Sequence, residues 1–193
     1  MSRYRAIILG LLGLLAGLSP VWASAGGKSE DVLWKALKQG GHVALMRHAL
    51  APGTGDPAAF RLNDCSTQRN LSKEGREQAR RIGQAFRKRN IAIARVLSSR
   101  WCRCLETARL LGLGLVEPFP VLDSFFRQRD KGPQQTAALR EFLADQGSGP
   151  SLVMVTHQVN ITALTDIFPR SGEIVVIRPL PEGNLKVLGR LSP

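Results

Sequence analysis

Short apolar runs alternate with amphipathic stretches along the chain. Val43-Ala44-Leu45-Met46 and Leu152-Val153-Met154-Val155 contain no polar position. Such runs fit strands buried on both faces, as in a parallel sheet. Each ends on polar residues that include a histidine: Arg47-His48 after the first, Thr156-His157 after the second. Val96-Leu97 reads as a third strand. Ile174 to Ile177 reads as a late one, placed at an edge because Pro179 follows it. Between these runs apolar residues recur at helical spacing. One helix carries Val32, Leu33 and Leu37, with Ser29 as its cap and Gly40-Gly41 as its stop. A second starts at Ser72 and carries Ala79, Ile82 and Phe86. Leu105, Ala108 and Leu111 line a third, Gln134 to Gln146 form a fourth ended by Gly147, and Ile161, Leu164 and Phe168 line a fifth. Residues 50–70, rich in Gly, Pro, Asp and Asn, read as one long loop. The alternation predicts an α/β fold: a three-layer α/β/α sandwich around a mostly parallel sheet. In such sheets ligands bind beyond the carboxyl ends of the strands, where His48 and His157 fall.

The first 25 residues follow a different pattern. Arg3 and Arg5 precede an apolar stretch, Ala6 to Leu18, and Ala23-Ser24-Ala25 has the form of a signal-peptidase site. The stretch is shorter than the ~20 residues a membrane span needs. Residues 1–25 are therefore expected to be a cleaved signal peptide and 26–193 a single exported domain, periplasmic in a bacterium. The formal charge of +12 favours an anionic partner: a phosphate ester, a nucleic acid or an acidic membrane surface. Aromatics at 6% and no recognised nucleic-acid motif argue against nucleic acid. A phosphate ester and peripheral contact with an anionic envelope surface both stay open. Export also permits a disulfide, from Cys65 to Cys102 or Cys104, leaving one thiol free. The Cys102/Cys104 spacing is neither a zinc nor a redox spacing, so no metal and no cofactor is expected.

Four blocks carry a family resemblance. Leu45-Met46-Arg47-His48 resembles the Arg-His signature of the histidine phosphatase superfamily, which includes phosphoglycerate mutases and many phosphatases. Asn70 to Ala79 resembles the helix-start block that follows it. Ser98-Ser99-Arg100-Trp101-Cys102-Arg103-Cys104-Leu105-Glu106-Thr107-Ala108 resembles the serine, arginine, threonine-alanine block, and Val155-Thr156-His157 the second-histidine motif. The blocks occur in the family's order over about residues 42 to 168. Two positions depart from the pattern: Ala49 stands where glycine is usual, and Gln158 where glycine is common.

The resemblance implies a phosphoglycerate mutase-like fold of branch 1 and a metal-independent phosphatase acting through a phosphohistidine. His48 would be the nucleophile, because a neutral imidazole offers a lone pair near pH 7. Arg47 and Arg103 would clamp the phosphoryl oxygens, with Arg100 as the rival of Arg103, and His157 would be a further donor. The general acid would come from the segment after the third strand, with Asp123 the candidate and Asp130 the runner-up. Asp64, Gln68 and Arg69 fall where they could reach the pocket rim, and Arg127 and Arg129 where they could meet a second anionic group. His42 matches no motif and reads as structural. Chain length and export favour a periplasmic phosphatase over a glycolytic mutase, with a phosphorylated sugar or envelope component as substrate. The alternative is a catalytically silent phospholigand-binding protein of the same fold.

Overall fold

Alternation along each central strand builds two cores at once. The computed structural model describes residues 30–193, so the expected signal peptide and the Ser29 cap lie outside the described residues. In chain order the elements are α1 (Glu30–Gln39), β1 (Val43–Arg47), α2 (Lys73–Lys88), β2 (Ile93–Ser98), α3 (Cys102–Leu111), β3 (Val116–Pro118), α4 (Gly132–Ala144), β4 (Ser151–Thr156), α5 (Gln158–Thr165), β5 (Ile174–Pro179) and β6 (Leu185–Leu191). They form one six-stranded sheet in the order β3-β2-β4-β1-β5-β6. β1 to β4 are parallel, β5 runs antiparallel to β1, and β6 runs antiparallel to β5. Ala44, Met46, Val153 and Val155 face α1, α2 and α3, where Leu33, Ile82, Phe86 and Leu111 are buried. Val43, Leu45, Leu152 and Met154 face α4 and α5, where Leu139, Leu143, Ile161 and Leu164 are buried. Both faces are covered, so the runs of β1 and β4 need no polar position.

Several boundaries differ from the periodicity reading, each for a physical reason. β5 is an interior strand, hydrogen-bonded to β1 on one side and β6 on the other. Pro179 is tolerated because it lies at the last position of the ladder, opposite Leu185. β6 is the true edge, and its half-buried sequence, interrupted by Gly189, carries too weak an alternation to announce itself. Helix α5 stops at Thr165, where Asp166 adopts a left-handed conformation at φ 59°, and leaves Phe168 outside the helix and exposed. On α3 the buried stripe runs through Cys104 rather than Leu105. Trp34, against Phe86 at a ring distance of 5.0 Å, fills the position on α1 that exposed Val32 was expected to share.

Two contacts tie α2 to the rest of the fold. Ser72 caps it, accepting from the Gly75 amide at 3.0 Å. Gly75 itself packs against the backbone of Leu50: a Cβ there would meet the Leu50 carbonyl oxygen at 2.0 Å. The first turn of α2 thus seats directly on the chain leaving β1, two residues beyond His48.

Candidate active site

The parallel register of β1 and β4 brings the two histidines together. Arg47 lies opposite Thr156, so the next residue on each strand is a histidine. The His48 amide donates to the Thr156 carbonyl at 2.9 Å, and the two imidazole rings stand 5.6 Å apart. Helix α3, separated from the end of β2 by Ser99, Arg100 and Trp101, supplies Arg103 from its first turn. These residues and Arg69 line a cavity of about 260 Å³ at the carboxyl edge of the sheet. The structure therefore brings Arg47, His48, Arg103 and His157 into one place.

Hydrogen bonds fix the state of each histidine. His48 is 2% exposed, and its Nδ1 lies 2.8 Å from the Ala49 carbonyl oxygen, which can only accept. Nδ1 is therefore the protonated nitrogen, and Nε2 keeps its lone pair. Ala49 needs no glycine, since its φ is not positive. Its amide donates to Thr107 Oγ1 at 3.1 Å, and Thr107 donates to the Arg103 carbonyl at 2.7 Å. His157 Nδ1 lies 3.3 Å from Arg103 Nη2, a pure donor, so Nδ1 accepts and Nε2 bears the proton. Nε2 then donates to Ser99 Oγ at 2.8 Å, and Ser99 donates to Asp123 Oδ1 at 3.2 Å.

That chain assigns Asp123 a different place from the one expected by position. Its carboxylate lies behind Ser99, away from the cavity, and also accepts from the Arg100 amide and from the Arg100 side chain, both at 2.8 Å. Arg100 is thereby turned from the cavity and is corrected as a phosphate ligand, and Asp123 as a facing acid. Asp130, Asp64 and Arg129 do not line the cavity either, whereas Arg127 does. Gln68 is buried and braces the loop, accepting from the Cys102 amide at 2.9 Å.

The long loop contributes more than its composition announced. Asp56 lines the cavity, and its carboxylate holds Arg103 through bonds of 2.7 and 3.2 Å. Arg69, from the same loop, adds a third guanidinium, held by the Gly55 carbonyl at 2.8 Å and by the Ala51 carbonyl. Phe60 stacks on Trp101 at 5.1 Å, and Trp101 meets His157 edge-on at 5.4 Å. A disulfide joins Cys65 to Cys102, choosing between the two pairings left open above, while Cys104 stays reduced and buried. Closing a segment with 37 residues of separation is worth about 3–4 kcal/mol by chain entropy. The bridge ends one residue before Arg103, so it fixes the loop to the helix turn that carries that side chain. Aspartate in a Gly-Thr-Gly-Asp-Pro turn gives no periodic signal. Only a reason to fold the loop back over the site, such as the Cys65 pairing, pointed this way.

Burial, and after it the crowding of positive charge, sets the electrostatics. Burial, then the charge of Arg103, lowers the pKa of Arg47; the same two influences bring Arg69 down to about 10. Arg47 Nη1 donates to the Pro169 carbonyl at 2.9 Å, but Arg47 Nε and Arg103 Nε are buried with no protein partner. Buried donors without acceptors cost about 1–3 kcal/mol each, which an oxyanion between them would recover. Burial, with Arg103 next, holds both His48 and His157 well below the ordinary imidazole range. Burial pushes the Cys104 thiol up to about 12, so it is neutral. Among the described residues no three His, Cys, Asp or Glu side chains cluster as metal ligands.

Comparison with known proteins agrees with this geometry. Residues 43–133 match the sequence model of the histidine phosphatase superfamily (branch 1). No curated protein matches the chain. Among solved structures, the protein histidine phosphatase SixA complexed with tungstate is similar at 23% identity and TM-score 0.58, over 78% of this chain and 96% of that one. A protein assigned as an alpha-ribazole-5'-P phosphatase from Escherichia coli K-12 is similar at 14% identity and TM-score 0.61, over 79% and 97%. The mycobacterial glucosyl-3-phosphoglycerate phosphatase complexed with VO3 is similar at 16% and 0.52, over 70% and 92%. These likenesses establish the phosphoglycerate mutase-like fold.

The buried neutral histidines predict a pH effect on stability. Their folded pKa values lie below the unfolded value near 6.5, so below that pH the unfolded chain binds protons that the folded chain does not. Stability should therefore fall from pH 7 to pH 5, before the depressed carboxylates of Asp56 and Glu173 begin to matter. Urea unfolding at the two pH values, in buffer free of phosphate, measures it. A His48→Gln, His157→Gln double variant should lose most of the slope, and a flat wild-type profile would contradict the assignment.

Proposed function

We propose that this chain, which belongs to the histidine phosphatase superfamily, branch 1, is a metal-independent phosphomonoesterase acting through a phosphohistidine on His48. The observation that carries the reading is the free Nε2 lone pair of His48, facing a cavity walled by guanidinium groups. A neutral imidazole is nucleophilic, and its Nδ1–H bond to the Ala49 carbonyl steadies the positive charge that develops on attack. Arg47, Arg103 and Arg69 would hold the phosphoryl oxygens. His157 would join them as a donor once the bound dianion favours its protonation. Asp123, acting through Ser99, keeps the His157 ring oriented in this reading.

The outer cavity narrows the substrate. Phe60, Trp101 and Phe126 offer apolar faces above the phosphate position, and Arg127 adds a cation at the rim. That surface suits a ring, such as a sugar, stacked on an aromatic face, with a second anionic group near Arg127. A phosphorylated sugar or related envelope component meets this description. Export is supported by the sequence of residues 1–25 and by the Cys65–Cys102 bridge, which needs an oxidising compartment to persist.

Purified mature protein should hydrolyse 4-nitrophenyl phosphate with chelator present, and His48→Ala should reduce the rate to background. Loss of activity on chelation, or equal rates in both proteins, would contradict the proposal. In cells, the periplasmic species should begin at Gly26 by mass measurement; a full-length cytoplasmic species would rule out export.

A further inference from the structure

A phosphoryl transfer to His48 leaves an alcohol oxygen that needs a proton, and Asp123, bonded to Ser99 and Arg100, does not line the cavity. Asp56 is the one carboxylate among the residues that line the cavity. Its side chain is bonded to Arg103 at the cavity floor, while its own carbonyl accepts from Arg127 at the rim. His48 lies on the floor, 2% exposed. An in-line displacement sends the leaving group away from the nucleophile, hence toward the rim and past Asp56.

We propose that Asp56 is the general acid of the reaction, poised on Arg103 in the free protein and released by the substrate. This rests on the phosphatase reading above. The Asp56 carboxylate and a phosphoryl group want the same two N–H donors of Arg103. Both Asp56 oxygens are engaged in the free protein: Oδ1 by Arg103 Nη1 and the Arg69 amide (3.1 Å), Oδ2 by Trp101 Nε1 (3.0 Å) and Arg103 Nη2. When a dianion takes Arg103, the carboxylate loses its strongest partner and gains a negative neighbour. Both changes favour the protonated acid. Arg47, Arg69 and Arg127, with the two neutral histidines, remain as the other titratable groups on the cavity wall and oppose that gain only in part.

The step then balances. The Nε2 lone pair of His48 forms the P–N bond, the P–O bond to the leaving group breaks, and its electron pair takes the proton of the Asp56 carboxyl. In the second step the Asp56 carboxylate accepts a proton from water as that water's oxygen attacks phosphorus. The P–N bond breaks, its electrons return to Nε2, and inorganic phosphate and the protonated Asp56 result.

Wild type, Asp56→Asn and Asp56→Glu are compared on 4-nitrophenyl phosphate and on glycerol phosphate, with inorganic phosphate binding measured by calorimetry. Asp56→Asn should lose about 10²–10⁴-fold in rate on glycerol phosphate, whose alkoxide needs the proton. It should lose far less on the nitrophenyl ester, and Asp56→Glu should restore part of the glycerol phosphate rate. Phosphate should bind Asp56→Asn more tightly, because a competitor for Arg103 has lost its charge. Equal losses on the two esters, or weaker phosphate binding in the variant, would show that Asp56 merely holds Arg103 in place and would overturn the proposal alone. No hydrolysis of either ester by wild type would overturn the phosphatase reading and this assignment together.

Discussion

Arg47, Arg69 and Arg103 bring three guanidinium groups to one largely buried cavity, and the mutual repulsion of those charges governs the chemistry around them. Burial first, and then the charge of Arg103, keep His48 and His157 neutral, which is what a nucleophilic imidazole requires. The repulsion also explains the partners each cation has found: the Pro169 carbonyl for Arg47, loop carbonyls for Arg69, and the Asp56 carboxylate for Arg103. Burial is the largest single influence on Asp56 and by itself would raise its pKa. The bonds from Arg103, the Arg69 amide and Trp101 outweigh it and keep the carboxyl below its ordinary range in the free protein. A tetrahedral dianion would meet donors already aimed and already desolvated, so little reorganisation is left for the moment of reaction.

The scaffold holds this unfavourable charge cluster through contacts made elsewhere. β1 and β4 are locked in parallel register between two apolar cores, so the histidines cannot drift apart without breaking the sheet. α3 is attached to the same site by the Thr107 bond to Ala49 and by the disulfide to the loop. Gly75 lets α2 seat on Leu50, which fixes the chain just after His48. Arg190 and Arg170, bonded to Glu173, secure the turn that also receives the Arg47 amide.

What could be read from the sequence follows from the range of the interactions involved. His48 and His157 were legible because a buried strand announces itself by an unbroken apolar run, and the residue after it falls at the ligand edge. Arg103 was legible through the family resemblance of its block, in which it stands four residues before Thr107. Asp56 was not, because its role depends on how the loop of residues 50–70 folds back over α3, a long-range matter that leaves no local period. Asp123 misled for the same reason. It follows the expected strand, but Ser99 and Arg100 bind it at the back of His157, so proximity in the chain did not become access to the cavity. β6 escaped notice because an edge strand with one half-buried face reads like a polar tail.

The central claim is that phosphorus passes through a covalent bond to His48 Nε2. Mixing wild-type protein with a radiolabelled aryl phosphate, quenching within the first turnover under alkaline conditions and mapping the labelled peptide tests it directly. The account predicts an acid-labile, alkali-stable label confined to the peptide that contains His48, chased out by unlabelled substrate. Turnover with no label on that peptide, or with the label on a carboxylate or hydroxyl residue, would contradict it.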